Sequence, residues 1–192
     1  GYRFGVGEKS ACIVGALRGN EIQQLYICSQ LVTALKELEA HGSISHNHEI
    51  LVIPSVNRFS MNVGKRFWPT DNSDINRAFP GDVNGDTTKQ IAGTLFDRIK
   101  GYSYGIHFAS FYMPGDFIPH VKMMDTGFQS ASLANLFGLQ YVVIRKPKPM
   151  DTVTLNYNWQ MNGTNAFSIY TNSTDMIDEK SARQAVSSVL RF

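Results

Sequence analysis

The stretch SACIVGALRGNEIQ, residues 10–23, joins an apolar run to an amphipathic pattern and decides the fold class. SACIVGA (10–16) is a short apolar run bounded by small residues, which predicts a strand buried on both faces. From Asn20, a residue type that caps helices, apolar residues recur every three or four positions until Gly42. The stretch therefore predicts a buried strand followed by a long helix, the repeating unit of parallel sheets.

The rest of the chain repeats this alternation of apolar strands and amphipathic helices. Further strands are predicted at residues 49–54, 102–109, 140–146 and 164–172. Helices are predicted at residues 87–102, 178–192 and, in a shorter form, just before Gly138. We therefore expect a single α/β domain over residues 1–192, with a mostly parallel, mixed sheet that helices flank on both faces.

Two long segments, residues 55–85 and 108–127, interrupt the alternation and show no periodic pattern. Loops of that length in a compact domain are commonly functional. The first segment carries PSVNRF, GKRFWP and DNSDINRAFPGD, which contain too many aromatic and apolar residues for a disordered linker. We therefore predict an ordered binding loop at residues 55–85.

The composition argues against several classes of partner. A formal net charge of +2 without a long basic run gives no electrostatic footprint for nucleic acid or an anionic membrane. No stretch approaches the ~18 apolar residues of a membrane span, and GYRFGVGEKS at the start does not resemble a signal peptide, so a cytoplasmic location is expected. Cys12 and Cys28 are expected to be buried, reduced thiols. No feature specifies an oligomeric state.

Polar residues end or follow four of the five predicted strands, at the edge of the sheet where α/β proteins bind ligands. They are Arg18, Asn20, Glu21, Asn57, Arg58, Arg66, Asp74, Asn76, Arg77, His107, Tyr170 and Asn172. Structural roles are also open for some of them. Glu21 suits the first turn of any helix, His107 could be a hydrogen-bonded core histidine, and Asp74 could form a loop salt bridge with Arg77.

Several familiar motifs do not fit this sequence. GVGEKS (5–10) precedes a strand, whereas phosphate-binding loops follow one, and DNSDIN (71–76) lacks the oxygen ligands of a calcium loop. Neither GxSxG nor HExxH occurs. His41, His46 and His48 lie in a polar turn, where exposure to solvent is expected.

Three segments in a fixed order resemble a known family. ALRGNE, KRFWPTDNSDINRAFPGD and YGIHFAS are similar to segments of the succinylglutamate desuccinylase and aspartoacylase family, within the zinc carboxypeptidase superfamily. The resemblance covers nearly the whole chain. It implies a zinc-carboxypeptidase-like fold, a zinc-dependent hydrolase of an amide bond beside a carboxylate, and the absence of the family's C-terminal β-rich domain.

The resemblance also implies roles for individual residues. Glu21 and His107 correspond to two of the three zinc ligands of the family. Arg66 is similar in place to the arginine that polarises the scissile carbonyl. Asn76 and Arg77 correspond to the pair that binds the substrate carboxylate, a task suited to a bidentate guanidinium.

Three positions depart from the family pattern. Arg18 stands where the first zinc histidine is expected, and a guanidinium has no lone pair for a metal. Gly105 replaces an aspartate two residues before His107. Tyr170 replaces the general-base glutamate, and a tyrosine stays protonated near neutral pH. We expect Arg18 to pair with Glu21 and to supply the positive charge that the metal would have brought.

Two hypotheses follow, and the sequence leaves both open. The first is a zinc-dependent hydrolase in which His120 joins the two remaining ligands and Arg66 stabilises the oxyanion. The second is an inactive binding module, in which Arg18, Asn76 and Arg77 help to bind a small-molecule or peptide carboxylate. A purely structural role within a larger chain is a third alternative.

Overall fold

The computed structural model describes residues 1 to 192 and contains one seven-stranded mixed sheet, which confirms the predicted α/β class. The strands are β1 (Tyr2–Phe4), β2 (Gly7–Ala16), β3 (Asn47–Ser55), β4 (Tyr104–Ala109), β5 (His120–Met124), β6 (Tyr141–Arg145) and β7 (Asn165–Tyr170). The α-helices are α1 (Ile22–Ala40), α2 (Arg58–Asn62), α3 (Thr87–Ile99), α4 (Leu155–Met161) and α5 (Glu179–Arg191). Short 3₁₀ helices cover Ile75–Arg77, Ala131–Phe137 and Pro149–Asp151.

The strand order is β1-β3-β2-β4-β7-β5-β6. Strands β3, β2, β4 and β7 run parallel to one another. At the edges, β1 is antiparallel to β3, while β5 is antiparallel to β7 and parallel to β6. Because the four parallel strands end at the same edge of the sheet, the residues that follow them meet there.

Helices cover both faces of the sheet, as predicted. Side chains of α1 and α5 pack on one face with Ile13 of β2, and side chains of α3 and α4 pack on the other with Cys12 and Val14. The alternation along β2 is the two-residue period of a strand buried on both sides. Cys12 and Cys28 are free and fully buried, as expected.

None of the helices combines the length and the apolar character needed to cross a membrane.

The start of α1 differs from the prediction. The N-cap is Glu21 rather than Asn20, and the Glu21 side chain makes no capping hydrogen bond to the helix. It accepts hydrogen bonds from the backbone N–H groups of Leu17 and Arg18 instead. Asn20 accepts a 3.3 Å hydrogen bond from Arg66. The polar residues at this junction therefore serve the site described below and not the helix end.

Both long segments contain short regular elements that were not predicted, α2 and the 3₁₀ helix Ile75–Arg77 in the first and β5 in the second. The 55–85 segment is tied to the start of α3, because Asp71 accepts hydrogen bonds from the Thr88 backbone N–H at 2.9 Å and from its hydroxyl at 2.7 Å. This agrees with an ordered loop. The 108–127 segment was expected to be irregular, but it contains β5. The strand has five residues with Lys122 at its centre, too short and too polar for its pattern to stand out.

Candidate functional site

A cavity of about 460 Å³ opens where β2, β4 and β7 end. The resemblance gave seven positions of the site, and six of these residues line the cavity. They are Arg18, Arg66, Asn76, Arg77, His107 and Tyr170. The seventh, Glu21, is fully buried and is hydrogen-bonded to Arg18. The structure therefore brings the predicted residues together in one place.

Arg18 lines this cavity and lies between two carboxylates. Its Nη1 donates to Glu21 Oε1 at 2.9 Å, as expected from the sequence. Its Nε and Nη2 donate to the two oxygens of Asp74 at 3.0 and 2.9 Å, in a bidentate arrangement. Burial alone would lower the pKa of Arg18, but Glu21 and Asp74 raise it above the ordinary value. The guanidinium is therefore a fixed positive charge.

Glu21 has no free acceptor position facing the cavity. Its Oε2 accepts the backbone N–H groups of Leu17 and Arg18 at 2.7 and 2.9 Å. Its Oε1 accepts from the Arg18 guanidinium and from the Ser110 hydroxyl. Each carboxylate oxygen thus has two donors, and the ion pair with Arg18 compensates the buried charge.

His107 lies in β4, directly between Val14 of β2 and Ser168 of β7 in the sheet register. Its side chain lines the cavity and is almost completely buried, and its Nε2 has no hydrogen-bond partner. Burial lowers the pKa of His107 to about 4, with an opposing contribution from Glu21. The imidazole is therefore neutral at physiological pH and keeps an unused ring nitrogen.

Gly105 cannot carry the side chain that the resemblance implies at this position. A Cβ built there would lie 2.7 Å from two atoms of the Trp159 indole. Trp159 on α4 is fully buried, and its Nε1 donates to the Ile99 carbonyl at 3.3 Å. The indole therefore packs over the space where an aspartate side chain would begin.

Tyr170 is surrounded by aromatic and cationic groups. Its ring stacks on His120 at 4.9 Å and contacts Phe111 at 4.8 Å between ring centroids. Lys122 Nζ lies 5.5 Å from the ring centroid. Burial raises the pKa of Tyr170. A phenol that holds its proton this firmly cannot act as a general base near neutral pH.

His120 does not complete a metal site. Its ring stacks on Tyr170, and its Nδ1 lies 2.9 Å from the Ile118 carbonyl oxygen. No group of three or more His, Cys, Asp or Glu side chains is placed to hold a metal ion. The expectation that His120 joins Glu21 and His107 is therefore wrong for this arrangement of the chain.

Arg66, Asn76 and Arg77 line the cavity without a carboxylate partner. Arg77 Nη1 donates to the Met150 carbonyl at 2.8 Å, and Asn76 Oδ1 accepts from the Leu155 backbone N–H at 3.1 Å. Burial and the nearby Arg18 charge lower the pKa of Arg66. The suggested salt bridge between Asp74 and Arg77 is not formed, since Asp74 pairs with Arg18 instead.

The cavity also has polar residues that were not found from the sequence, among them Lys122, Arg145, Asp151, Asn156 and Ser168. Arg145 forms a bidentate ion pair with Asp151 at 2.6 and 2.7 Å. Lys122 forms no ion pair, and burial lowers its pKa. Arg145 could have been predicted as a site residue, because it lies at the end of a predicted strand. The others lie inside strands or on elements that were not predicted.

The residues present do not fit the zinc ion that the resemblance implies. A catalytic zinc needs three protein ligands and one open position, and the structure offers only Glu21 and His107. Arg18 stands at the position that the resemblance assigns to the third ligand, with its guanidinium 2.9 Å from Glu21 Oε1. A guanidinium this close to Glu21 would repel a divalent metal ion. Its hydrogen bond also occupies a lone pair of Glu21 Oε1 that the metal would need.

Solved structures with the same fold cover nearly all of this chain. A succinylglutamate desuccinylase from a Silicibacter species superposes with a TM-score of 0.78 at 21% identity, over 98% of this chain and 57% of that one. A metallo-carboxypeptidase from Burkholderia cenocepacia superposes with a TM-score of 0.73 at 12% identity, over 98% of this chain and 58% of that one. At these identities the likeness shows a shared fold. The chain spans a little over half the length of these proteins.

Sequence comparison points to the same group. An N-alpha-acetyl-L-2,4-diaminobutyric acid deacetylase from Halomonas elongata is 28% identical over 90 residues, which is 47% of this chain and 24% of the relative. The model of the succinylglutamate desuccinylase/aspartoacylase catalytic domain matches residues 8–192. The chain therefore belongs to the succinylglutamate desuccinylase/aspartoacylase catalytic-domain family.

Proposed function

We propose that this domain binds a carboxylate-bearing acylated ligand, an N-acyl amino acid or a peptide C-terminus, without a metal and without hydrolysing it. The observation that carries the proposal is the Arg18 guanidinium, held between Glu21 and Asp74 at the position expected for a zinc ligand. It leaves the cleft with a central positive charge. It also leaves no group that could activate a water molecule as the family's zinc does.

The charges around the cavity favour an anionic ligand. Five cationic and two anionic side chains line it. Asp74 is paired with Arg18, and Asp151 is paired with Arg145. Three cations, Arg66, Arg77 and Lys122, thus remain without a carboxylate partner. A ligand carboxylate would compensate them through charge-assisted hydrogen bonds.

The ligand class follows from the relatives. The Halomonas relative is named for an N-acetylated amino acid, and the family name refers to acylated glutamate and aspartate. Such molecules share a carboxylate and an amide carbonyl, both of which are hydrogen-bond acceptors. The uncompensated donors of this cavity suit that pattern, whether or not the bond is then broken.

Calorimetry on chelator-treated protein tests the proposal. We expect N-acetyl and N-succinyl amino acids to bind the wild type, and Arg77→Ala to weaken binding by about tenfold or more. Arg98→Ala is the matched control, because it removes one positive charge from α3 outside the cavity. The absence of binding by any N-acyl amino acid or C-terminal peptide would contradict the proposal.

A second candidate is metal-dependent hydrolysis of the same ligands, and one observation favours it. His107 Nε2 is buried without a partner, at the position that the resemblance assigns to a zinc ligand. Release of amino acid from N-acyl amino acids in the presence of added zinc, abolished by His107→Ala, would support this candidate. We expect no release at any zinc concentration from the wild type.

A further inference from the structure

We infer that Asn156 is a specificity-determining residue that accepts a hydrogen bond from the amide N–H of the ligand. The inference rests on the proposed function and goes further, because it distinguishes amides from esters of the same shape. It assigns a role to a residue on α4 that neither the sequence pattern nor the family resemblance singled out.

Asn156 is buried at the wall of the cavity, and one side of its amide group is hydrogen-bonded. Its side chain lines the cavity with 6% of the residue exposed. Its Nδ2 donates to the Ser168 hydroxyl of β7 at 2.8 Å. Its Oδ1 is buried and has no donor. An amide oxygen can only accept, so a ligand N–H in the cavity is a suitable partner for this atom.

The other carboxylate and amide oxygens that line the cavity already have donors. Asp74 accepts from Arg18, and Asp151 accepts from Arg145 and from the Lys148 backbone N–H. Asn76 Oδ1 accepts from the backbone of α4. His107 Nε2 is also unpartnered, but a ring nitrogen can donate or accept according to its tautomer. Among the carboxylate and amide oxygens that line the cavity, Asn156 Oδ1 is therefore the one without a donor.

The balance of donors and acceptors selects one chemical class. The uncompensated cations offer many donors, and Asn156 offers a single acceptor. An N-acyl amino acid has the complementary inventory, with carbonyl and carboxylate oxygens and one amide N–H. In the corresponding O-acyl hydroxy acid an ester oxygen replaces the N–H, so Oδ1 would stay unpaired and would face another acceptor.

The test compares two ligands that differ by this one group, N-acetyl-L-glutamate and O-acetyl-L-2-hydroxyglutarate. By calorimetry, we expect the wild type to bind the amide about tenfold or more tightly than the ester. Asn156→Leu should lose that preference. Ser168→Ala is the matched variant that removes the Asn156 partner but keeps the Oδ1 acceptor, and it should retain the preference.

The outcomes separate this inference from the function on which it rests. Equal affinity of the wild type for amide and ester would overturn the inference while leaving the proposed function intact, and this comparison requires no variant to fold. An unchanged preference in a folded Asn156→Leu protein would overturn it as well. If the wild type bound neither ligand or any other N-acyl amino acid, the proposed function and the inference would fall together.

Discussion

Arg18 and Glu21 form a buried ion pair with 2.9 Å between Nη1 and Oε1, three residues apart at the junction of β2 and α1. The side chains are 10% and 0% exposed. Because Asp74 approaches the same guanidinium from the 55–85 segment, one cation joins two carboxylates from distant parts of the chain. Four predictions follow from this arrangement and its surroundings.

Removal of Glu21 should strongly destabilise the fold. Glu21→Ala leaves the Arg18 charge with one partner and two backbone N–H groups without an acceptor, so we expect a loss of about 3 to 5 kcal/mol in the free energy of unfolding. Urea denaturation measures it. Glu179→Ala, in an exposed pair with Arg183, is the control and should change stability by less than about 0.5 kcal/mol. A loss below about 1 kcal/mol for Glu21→Ala would contradict the buried pair.

Restoring the family's ligand should create a zinc site. Arg18→His removes the competing cation and adds a third ligand to Glu21 and His107, so we expect this variant to bind one zinc per chain. Calorimetric zinc titration and metal analysis after dialysis measure the gain. The double variant Arg18→His/His107→Ala, with two ligands again, should not bind zinc. Zinc binding by the wild type with the same stoichiometry would show that Arg18 does not replace the metal.

A side chain at Gly105 should be poorly tolerated. Gly105→Ala drives a Cβ to 2.7 Å from the Trp159 ring, and such overpacking costs about 1 to 3 kcal/mol. Gly93→Ala in α3 is the matched control, because its Cβ would lie at an ordinary 3.5 Å from the nearest atom and alanine favours the helix. Thermal melts compare the two variants. Equal midpoints for Gly105→Ala and the wild type would refute the packing argument.

The ion pair between Arg145 and Asp151 should make stability depend on acid pH. Hydrogen bonding from Arg145 holds the pKa of Asp151 below its ordinary value. Because the pKa of Asp151 is lower in the folded protein, the ion pair stabilises the fold at pH values above the ordinary pKa of about 3.9. This contribution is lost as the pH falls through the folded-state pKa.

Asp151→Asn should therefore be less stable than the wild type at pH 6, and the difference should shrink as the pH falls below about 4. Urea midpoints between pH 6 and pH 3 measure the effect. Asp97→Asn, in an exposed pair with Lys100, should show little change across this range. A difference for Asp151→Asn that is constant with pH would argue against a lowered pKa.

The sequence predicted the sheet because its long strands and helices have simple periods. The run around Cys12 and the repeating apolar positions of α1 follow from burial alone. α4 escaped prediction because it buries polar residues, among them Asn156, Asn158 and Gln160. Asn158 Nδ2, for example, donates to the Thr152 and Thr154 carbonyls at 2.9 Å. A pattern of apolar residues cannot reveal a polar residue that is buried because its hydrogen bonds are satisfied.

The site was predictable in part, for a related reason. Arg18 and Glu21 follow β2 and His107 lies near the end of β4, both of which were predicted as strands, and the roles of these residues came from the resemblance. Lys122 and Asn156 belong to the short elements β5 and α4, so their place in the cavity depends on tertiary packing. The pairing of Asp74 with Arg18 and not with Arg77 likewise depends on how the 55–85 segment folds back.

The guanidinium between Glu21 and Asp74 differs from a coordinated ion in one practical respect, since it is covalently part of the chain. It cannot dissociate, be removed by a chelator or be exchanged for another metal. The positive charge that Arg18 places in the cleft is therefore part of the polypeptide and does not depend on the zinc concentration. The anion binding proposed for this cleft is therefore expected to persist under metal starvation.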